Sequence, residues 1–321
     1  MSEQNFLPHP ATGVTDTVSG PAPQLRGKWA ENLALARHVS WRAGGNARRA
    51  YTPVDVEDLA QCLRTLPSAE PVLFIGLGSN LLIRDGGFPG TVILLHAALA
   101  ELRLLATGEV YAAAGVASPR LASFSMQHGL TGAEFMAGIP GTVGGALAMN
   151  AGCYGSETWE IVAAVHTVDR QGSLRWRPVE DYAIAYRHVS LLAAAEEWFV
   201  GARFRLGTGD RAASKQQIKQ WLDTRRARQP LNLPNAGSVF RNPPNDHAAR
   251  LIEMAGLKNY RLGGAEVSGK HANFIVNPEG KATAADIEAL ILHIQAIVER
   301  QYGIHLIPEV RIAGVATGEQ A

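Results

Sequence analysis

Apolar positions along the chain follow two different periods. Between Pro53 and Leu66, the residues Val56, Leu59, Ala60 and Leu63 recur at helical spacing and predict a helix. The run Pro71 to Ile75 is continuously apolar and ends at Gly76, which predicts a buried strand. Gly90 to Leu95 predicts a second. Ser118 and Pro119 open a helix that Gly129 closes, with Pro at the start and Gly at the end. Short strands are predicted near 160–169 and 197–206. The polar stretch Gly207 to Arg211 reads as a domain boundary. Ser214 and Gln217 have the spacing of a capping box for a helix running to about Arg228. A helix over Ala248–Ala255 stops at Gly256. Another starts at the Thr283/Asp286 pair, buries Ile287, Leu290, Ile291, Ile294, Ile297 and Val298, and ends near Gly303. Leu306–Ile312 reads as a final strand. The mixture is α+β, and the order of elements does not name the fold.

Composition changes this picture little. A length of 321 residues suggests more than one domain, and 46% apolar with 18% charged residues is ordinary for a globular protein. The 33 glycines cluster, which suggests backbone brought close to a ligand. A net charge of +1 with no basic block argues against a nucleic-acid surface. Cys62 and Cys153, the only cysteines, fit a reducing compartment and exclude a disulfide scaffold or a Cys-cluster metal site. Met1 to about Gln24 lacks a charged segment followed by an apolar stretch, so it reads as a flexible tail and not a signal peptide. No apolar run reaches the roughly 18 residues a membrane span needs.

Three segments carry candidate chemistry. Gly76, Gly78, Ser79 and Asn80 follow a predicted strand directly. Bare backbone amides there suit a pyrophosphate, or the segment is a plain strand-to-loop turn. The third glycine of the dinucleotide Gly-x-Gly-x-x-Gly pattern is absent. Gly138 to Gly155 contains a tight glycine loop around Pro140, followed by small residues that let a helix start against a flat ligand. The alternative is a structural turn. Ser238, after Gly237, sits on a sharply turned backbone, either as an exposed proton donor or as a turn serine bonded to its own backbone. Ser238 has no Gly-x-Ser-x-Gly surround, which disfavours a hydrolase triad. Arg187, His271 and Glu309 are individually weak signals, and no His/Asp/Glu spacing suggests a metal.

Taken in order, these segments and Trp41-Arg42-Ala43-Gly44-Gly45 resemble the UDP-N-acetylenolpyruvoylglucosamine reductase family from about residue 30 to residue 315. The resemblance implies a two-part FAD-binding region of the vanillyl-alcohol-oxidase type over 26–209 and a substrate-binding α+β unit over 210–321, after a tail at 1–25. It implies non-covalent FAD, NADPH as co-substrate and a UDP-sugar substrate, with no nucleic-acid, membrane or obligatory protein partner. It places the chain in the cytoplasm, in peptidoglycan precursor synthesis and thus in cell-wall biogenesis, cell shape and cell division. The chain resembles the family's shorter form, without a Tyr-bearing insertion.

By the same resemblance Ser238 is the general acid, Arg187 pairs with the substrate carboxylate, and Glu309 assists at the reacting carbon. Arg42, Gly44, Gly76, Gly78, Ser79, Asn80, Leu81, Gly138, Ile139, Pro140, Gly141, Thr142, Gly144, Gly145, Asn150 and Arg311 are implied cofactor contacts. Tyr154, Arg228, Asn242 and His271 are implied substrate contacts. Arg228 stands where the family commonly has lysine, and Tyr186-Arg-His-Val-Ser190 is one residue longer than the usual Tyr-Arg-x-Ser. An oxidase with histidine-linked flavin is a competing reading, although no histidine lies between Phe74 and Arg84. A silent flavin- or nucleotide-sugar-binding module is another, opposed by the presence of Arg187, Ser238 and Glu309 together.

Overall fold

The computed structural model of the chain describes residues 24–96 and 98–319. The expected tail lies outside these residues except for Gln24 and Leu25. The chain then forms two strands that the apolar pattern did not announce, β1 (Lys28–Ala34) and β2 (Asn46–Thr52). β1 buries none of its residues fully, and β2 buries Ala47 and the adjacent pair Ala50 and Tyr51, so neither has a strong alternation. Next comes α1 (Val56–Thr65), whose N-cap Asp55 accepts the Asp58 amide at 2.8 Å. Its predicted apolar face is buried at Leu59, Ala60 and Leu63.

β3 (Val72–Ile75), β4 (Leu81–Ile83) and β5 (Phe88–Leu94) follow. Four strands form a sheet in the order β1-β2-β5-β3, antiparallel between β1 and β2 and parallel elsewhere. β5 has a partner on each side, and a strand covered on both faces reads as a continuous apolar run. Accordingly Val92 and Ile93 are fully buried.

A second sheet has five antiparallel strands in the order Leu174–Pro178, Val162–Asp169, Glu197–Phe204, Val110–Ala113, Leu102–Leu104. It shares one apolar core with α1, α2 (Ser118–Gln127) and α3 (Val143–Met149). Removing this apolar surface from water is the main stabilising term.

α4 (Arg211–Arg228) starts earlier than the Ser214/Gln217 spacing predicts. Asp210 is the N-cap and accepts the Ala213 amide at 2.7 Å. Ser214 lies inside the helix, where its hydroxyl donates to Glu134 at 2.5 Å, so the carboxylate takes the hydroxyl that a cap would need. The last unit contains α5 (Ala248–Met254), three short strands, and α6 (Ala284–Tyr302). The Thr283/Asp286 capping box forms, and Gly303 closes α6 in the left-handed region at φ 68°. The strand predicted over Leu306–Ile312 is confined to Arg311–Ala313. Pro308 lacks the amide a ladder requires and makes only an isolated bridge to Phe240.

Packing, hydrogen bonds and a strand pairing cross the boundary expected at 209/210. Trp41, Ala43 and Leu82 belong to the apolar core formed with α5 and α6. The Trp41 indole donates to the Ile275 carbonyl at 2.8 Å, and the Asn277 amide donates to the Trp41 carbonyl at 3.0 Å. Arg311–Ala313 also adds in parallel to β4. The last strand thus brings Glu309 and Arg311 back to the loop that precedes β4.

Candidate active site

One cleft of about 690 Å³ lies where the two glycine loops meet the C-terminal unit. Each loop needs its glycines for contact with the other. A Cβ on Gly76 would stand 2.3 Å from Thr142 Oγ1, and one on Gly141 would stand 3.2 Å from Ser79 Oγ. Among the described residues no protein acceptor takes the backbone N–H of Leu77, Gly78, Ser79 or Asn80, nor that of Gly141, Thr142 or Gly145. All of these residues but the exposed Gly145 are buried or partly buried, where amides without partners are costly. Their convergence on a cleft fits the diphosphate and polar ring edge of a flavin dinucleotide. The start of α3 contributes less than its sequence suggested, because the Val143 and Gly144 amides pair with the Val116 and Ala114 carbonyls at 2.8 and 2.9 Å.

Gly76, Gly78, Ser79, Asn80, Leu81, Gly138, Ile139, Pro140, Gly141, Thr142, Gly144, Gly145 and Arg311 all line the cleft. The Asn80 side chain donates to the Glu309 carbonyl at 3.1 Å, and the Arg311 amide donates to the Asn80 carbonyl at 3.0 Å. The first loop therefore fixes the segment that carries Glu309.

Arg187, Ser238 and Glu309 line the same cleft. Arg187 Nε donates to Glu309 Oε1 at 3.0 Å, and its two terminal nitrogens donate to the carbonyls of Asn150 (3.3 Å) and Gly152 (3.0 Å). Its backbone is left-handed at φ 55°, a conformation that costs a non-glycine residue roughly 1–2 kcal/mol. Burial pushes the Glu309 carboxyl above the usual range, and this outweighs the opposing pull of Arg187. Ser238 follows Gly237, which takes φ 76° where a side chain would be strained. The Val239 amide pairs with the Asn273 carbonyl at 2.9 Å and the Val239 carbonyl with the Glu309 amide at 2.7 Å. Ser238 is thereby held beside Glu309, and among the described residues its hydroxyl has no protein partner.

Asn242 also lines the cleft, with its Oδ1 accepting the Ala248 amide at 3.1 Å. Six expected contacts stand elsewhere. Arg42 is exposed on a turn, and Gly44 packs so closely behind β4 that a Cβ would lie 2.2 Å from the Ile83 carbonyl. Asn150 turns its amide away from the cleft, toward Glu157 and the Ala185 carbonyl. Tyr154 stacks on Trp221 with ring centroids 4.6 Å apart and donates to the Trp221 carbonyl; burial pushes its phenol up to about 12. His271 packs edge-on against Phe274, and burial lowers its pKa. Arg228 is exposed at the end of α4.

Arg225 and Gln229 line the cleft where Arg228 was expected. Trp221, Arg225 and Gln229 recur every four residues and share one helical face, which was the available signal. Arg225 donates to Gln229 Oε1 at 2.6 Å and to the Gly138 carbonyl. Phe74 and Trp198, stacked at 4.8 Å, form a further wall. Among the described residues no cluster of His, Cys, Asp or Glu has metal-binding geometry.

Free backbone amides converging on one cleft give the chain a place for a flavin dinucleotide, the mark of a flavin-dependent oxidoreductase. The comparisons agree. The family model described as "FAD binding domain" matches residues 47–177, and "UDP-N-acetylenolpyruvoylglucosamine reductase, C-terminal domain" matches residues 229–313. The reductase of that name from Thiobacillus denitrificans is 57% identical over 312 residues, covering 93% of this chain and 96% of the relative. The one from Legionella pneumophila (strain Corby) is 51% identical, covering 94% and 98%. The crystal structure of the Thermus caldophilus reductase aligns with a TM-score of 0.76 at 29% identity, over 90% of this chain and 99% of that one. The chain belongs to the UDP-N-acetylenolpyruvoylglucosamine reductase family. The α+β class, with an FAD-binding region followed by a C-terminal α+β unit, is as expected.

Proposed function

We propose that the chain reduces UDP-N-acetylglucosamine enolpyruvate to UDP-N-acetylmuramate, with NADPH as reductant and FAD held non-covalently. The observation that carries the residue assignment is the convergence of Arg187, Ser238 and Glu309 on one cleft, beside both glycine loops. The amides of Leu77 to Asn80 and of Gly141, Thr142 and Gly145 hold the cofactor. FAD, when bound, supplies the redox chemistry by carrying a hydride equivalent from NADPH to the terminal alkene carbon.

Negative charge then develops on the adjacent carbon and its carboxylate. Arg187 stabilises that charge, and its anchoring by Glu309 and two backbone carbonyls keeps it preorganised. Ser238 donates a proton to the carbon that carries the charge, completing the saturated ether. Serine is a weak acid, so the neighbouring Glu309, whose burial favours its protonated form, supports that transfer. Asn242 and Arg225, which line the cleft, are assigned to the UDP portion.

The units proposed are a cofactor-binding region over 26–209 and a substrate-facing unit over 210–321. Among the described residues no helix is long and apolar enough to cross a membrane. The proposed location is the cytoplasm, and the proposed role is peptidoglycan precursor synthesis. Incubating the protein with NADPH and the enolpyruvyl ether, then weighing the product, tests the assignment. A product two hydrogens heavier than the substrate supports it, and unchanged substrate with oxidised flavin present contradicts it.

A further inference from the structure

Arg187 meets a second carboxylate that lies outside the cleft lining. Glu157 Oε1 stands 3.6 Å from an Arg187 terminal nitrogen, while Glu157 Oε2 accepts the Asn150 side-chain amide at 2.6 Å. The same Asn150 amide reaches the Ala185 carbonyl at 3.2 Å, and Asn150 Oδ1 accepts the Trp159 amide at 3.2 Å. Asn150 thus spends its side chain on Glu157, the Trp159 amide and the Ala185 carbonyl two residues before Arg187. Its own carbonyl receives Arg187.

The local backbone is built for this contact. Glu157 pairs across a two-stranded ladder with Gly152, whose carbonyl takes the other terminal nitrogen of Arg187. A Cβ on Gly152 would stand 2.9 Å from Glu157 Cγ and 3.3 Å from the Arg187 nitrogen. Gly152 therefore lets carboxylate and guanidinium approach. Asn150 and Arg187 both adopt left-handed backbone, at φ 41° and 55°. Such strain persists where surrounding contacts over-determine it, and it concentrates at functional sites.

We propose that Glu157, gripped by Asn150, is a positioning residue for Arg187, fixing the guanidinium in the orientation that receives the substrate's carboxylate. An arginine has five N–H donors. The two backbone carbonyls and Glu309 take three of these, and Glu157 restrains the group electrostatically without closing the remaining fork. Glu157 does not line the cleft and makes no contact with Ser238, so its effect on the reacting group passes through Arg187. The inference rests on the assignment of Arg187 to the substrate carboxylate.

The test follows flavin absorbance in the intact holoenzyme under anaerobic conditions, first bleached by NADPH and then recoloured by the enolpyruvyl ether. Glu157→Gln should keep flavin content and bleach within about twofold of the parent, yet recolour about 10²-fold more slowly, the scale expected of a misplaced catalytic contact. Glu157→Asp, which keeps the charge, should recover at least about tenfold of that loss. Combining Glu157→Gln with Arg187→Ala should be no slower than Arg187→Ala alone, because both act through one group.

Multiplying losses in the double variant, equal slowing of bleaching and recolouring, or parent-like recolouring in Glu157→Gln overturns the positioning role. If Glu157→Gln fails to hold flavin, Glu157→Asp decides, and an Asp variant that holds flavin but recolours no faster when Arg187 is present than when it is Ala overturns it too. Parent-like recolouring in Arg187→Ala removes the assignment of Arg187 itself. Slow recolouring there with a fast Glu157→Gln removes only the role of Glu157.

Discussion

Arg187 Nε lies 3.0 Å from Glu309 Oε1 although 122 residues separate them in the chain. The pair closes one wall of the cleft by joining the turn after Tyr182–Ala185 to the segment before Arg311–Ala313. It also holds the guanidinium in a plane, which a lysine ammonium cannot copy.

Arg187→Lys should therefore preserve the charge but lose most of the function. Recolouring by substrate is expected to fall on the order of 10²- to 10³-fold, the usual loss for a preorganised donor to developing negative charge. Bleaching by NADPH should stay within a few-fold. Stopped-flow absorbance separates the two rates.

Ser238→Ala removes the proposed proton donor and leaves the turn intact, since the strained position is Gly237. The substrate step should slow by about 10²-fold or more, with cofactor reduction unchanged. Single-turnover recolouring checks this, and a near-parental rate would remove Ser238 from the mechanism.

Glu309 sets a pH dependence of stability. Burial raises its folded-state pKa. Its favourable contribution is thus complete below the unfolded Glu pKa of about 4.3 and is lost as pH rises through the higher folded value. Gln cannot ionise, so Glu309→Gln should gain stability relative to the parent on going from pH 4 to pH 7. Urea midpoints at both pH values measure the difference, and the opposite sign contradicts the burial argument.

Gly76→Ala should drive the two glycine loops apart, because the new Cβ meets Thr142 Oγ1 at 2.3 Å. Overpacking of this kind costs about 1–3 kcal/mol. The ratio of flavin to protein absorbance should drop. Gly108→Ala is the control: its φ of 83° strains an alanine, but nothing lies within 4 Å of its Cβ. It should keep its flavin.

The strongly periodic elements were legible in the chain. Helices α1, α2 and α6 lie where their spacing and capping residues predicted, and β3 and β5 follow their apolar runs. β1 and β2 were not legible, because β1 buries little and β2 buries the adjacent Ala50 and Tyr51, which breaks the alternation of a strand. Loop contacts such as Gly76 against Thr142 depend on the unit register, which local pattern does not encode. At the site, residues that meet the cleft through loop backbone were readable as glycine clusters. Those that depend on which way a helix faces were not. Arg228 was expected, yet the face of α4 turned inward is that of Trp221, Arg225 and Gln229. Asn150 and Tyr154 sit within a motif whose glycines meet the cleft, but their own side chains serve the surrounding packing.

The most direct test of the account is an anaerobic titration of the purified holoenzyme, read at the flavin absorbance band. Addition of NADPH should bleach the band, and UDP-N-acetylglucosamine enolpyruvate should return the colour fully, one equivalent of substrate per flavin. Bleaching without return of colour contradicts the substrate assignment.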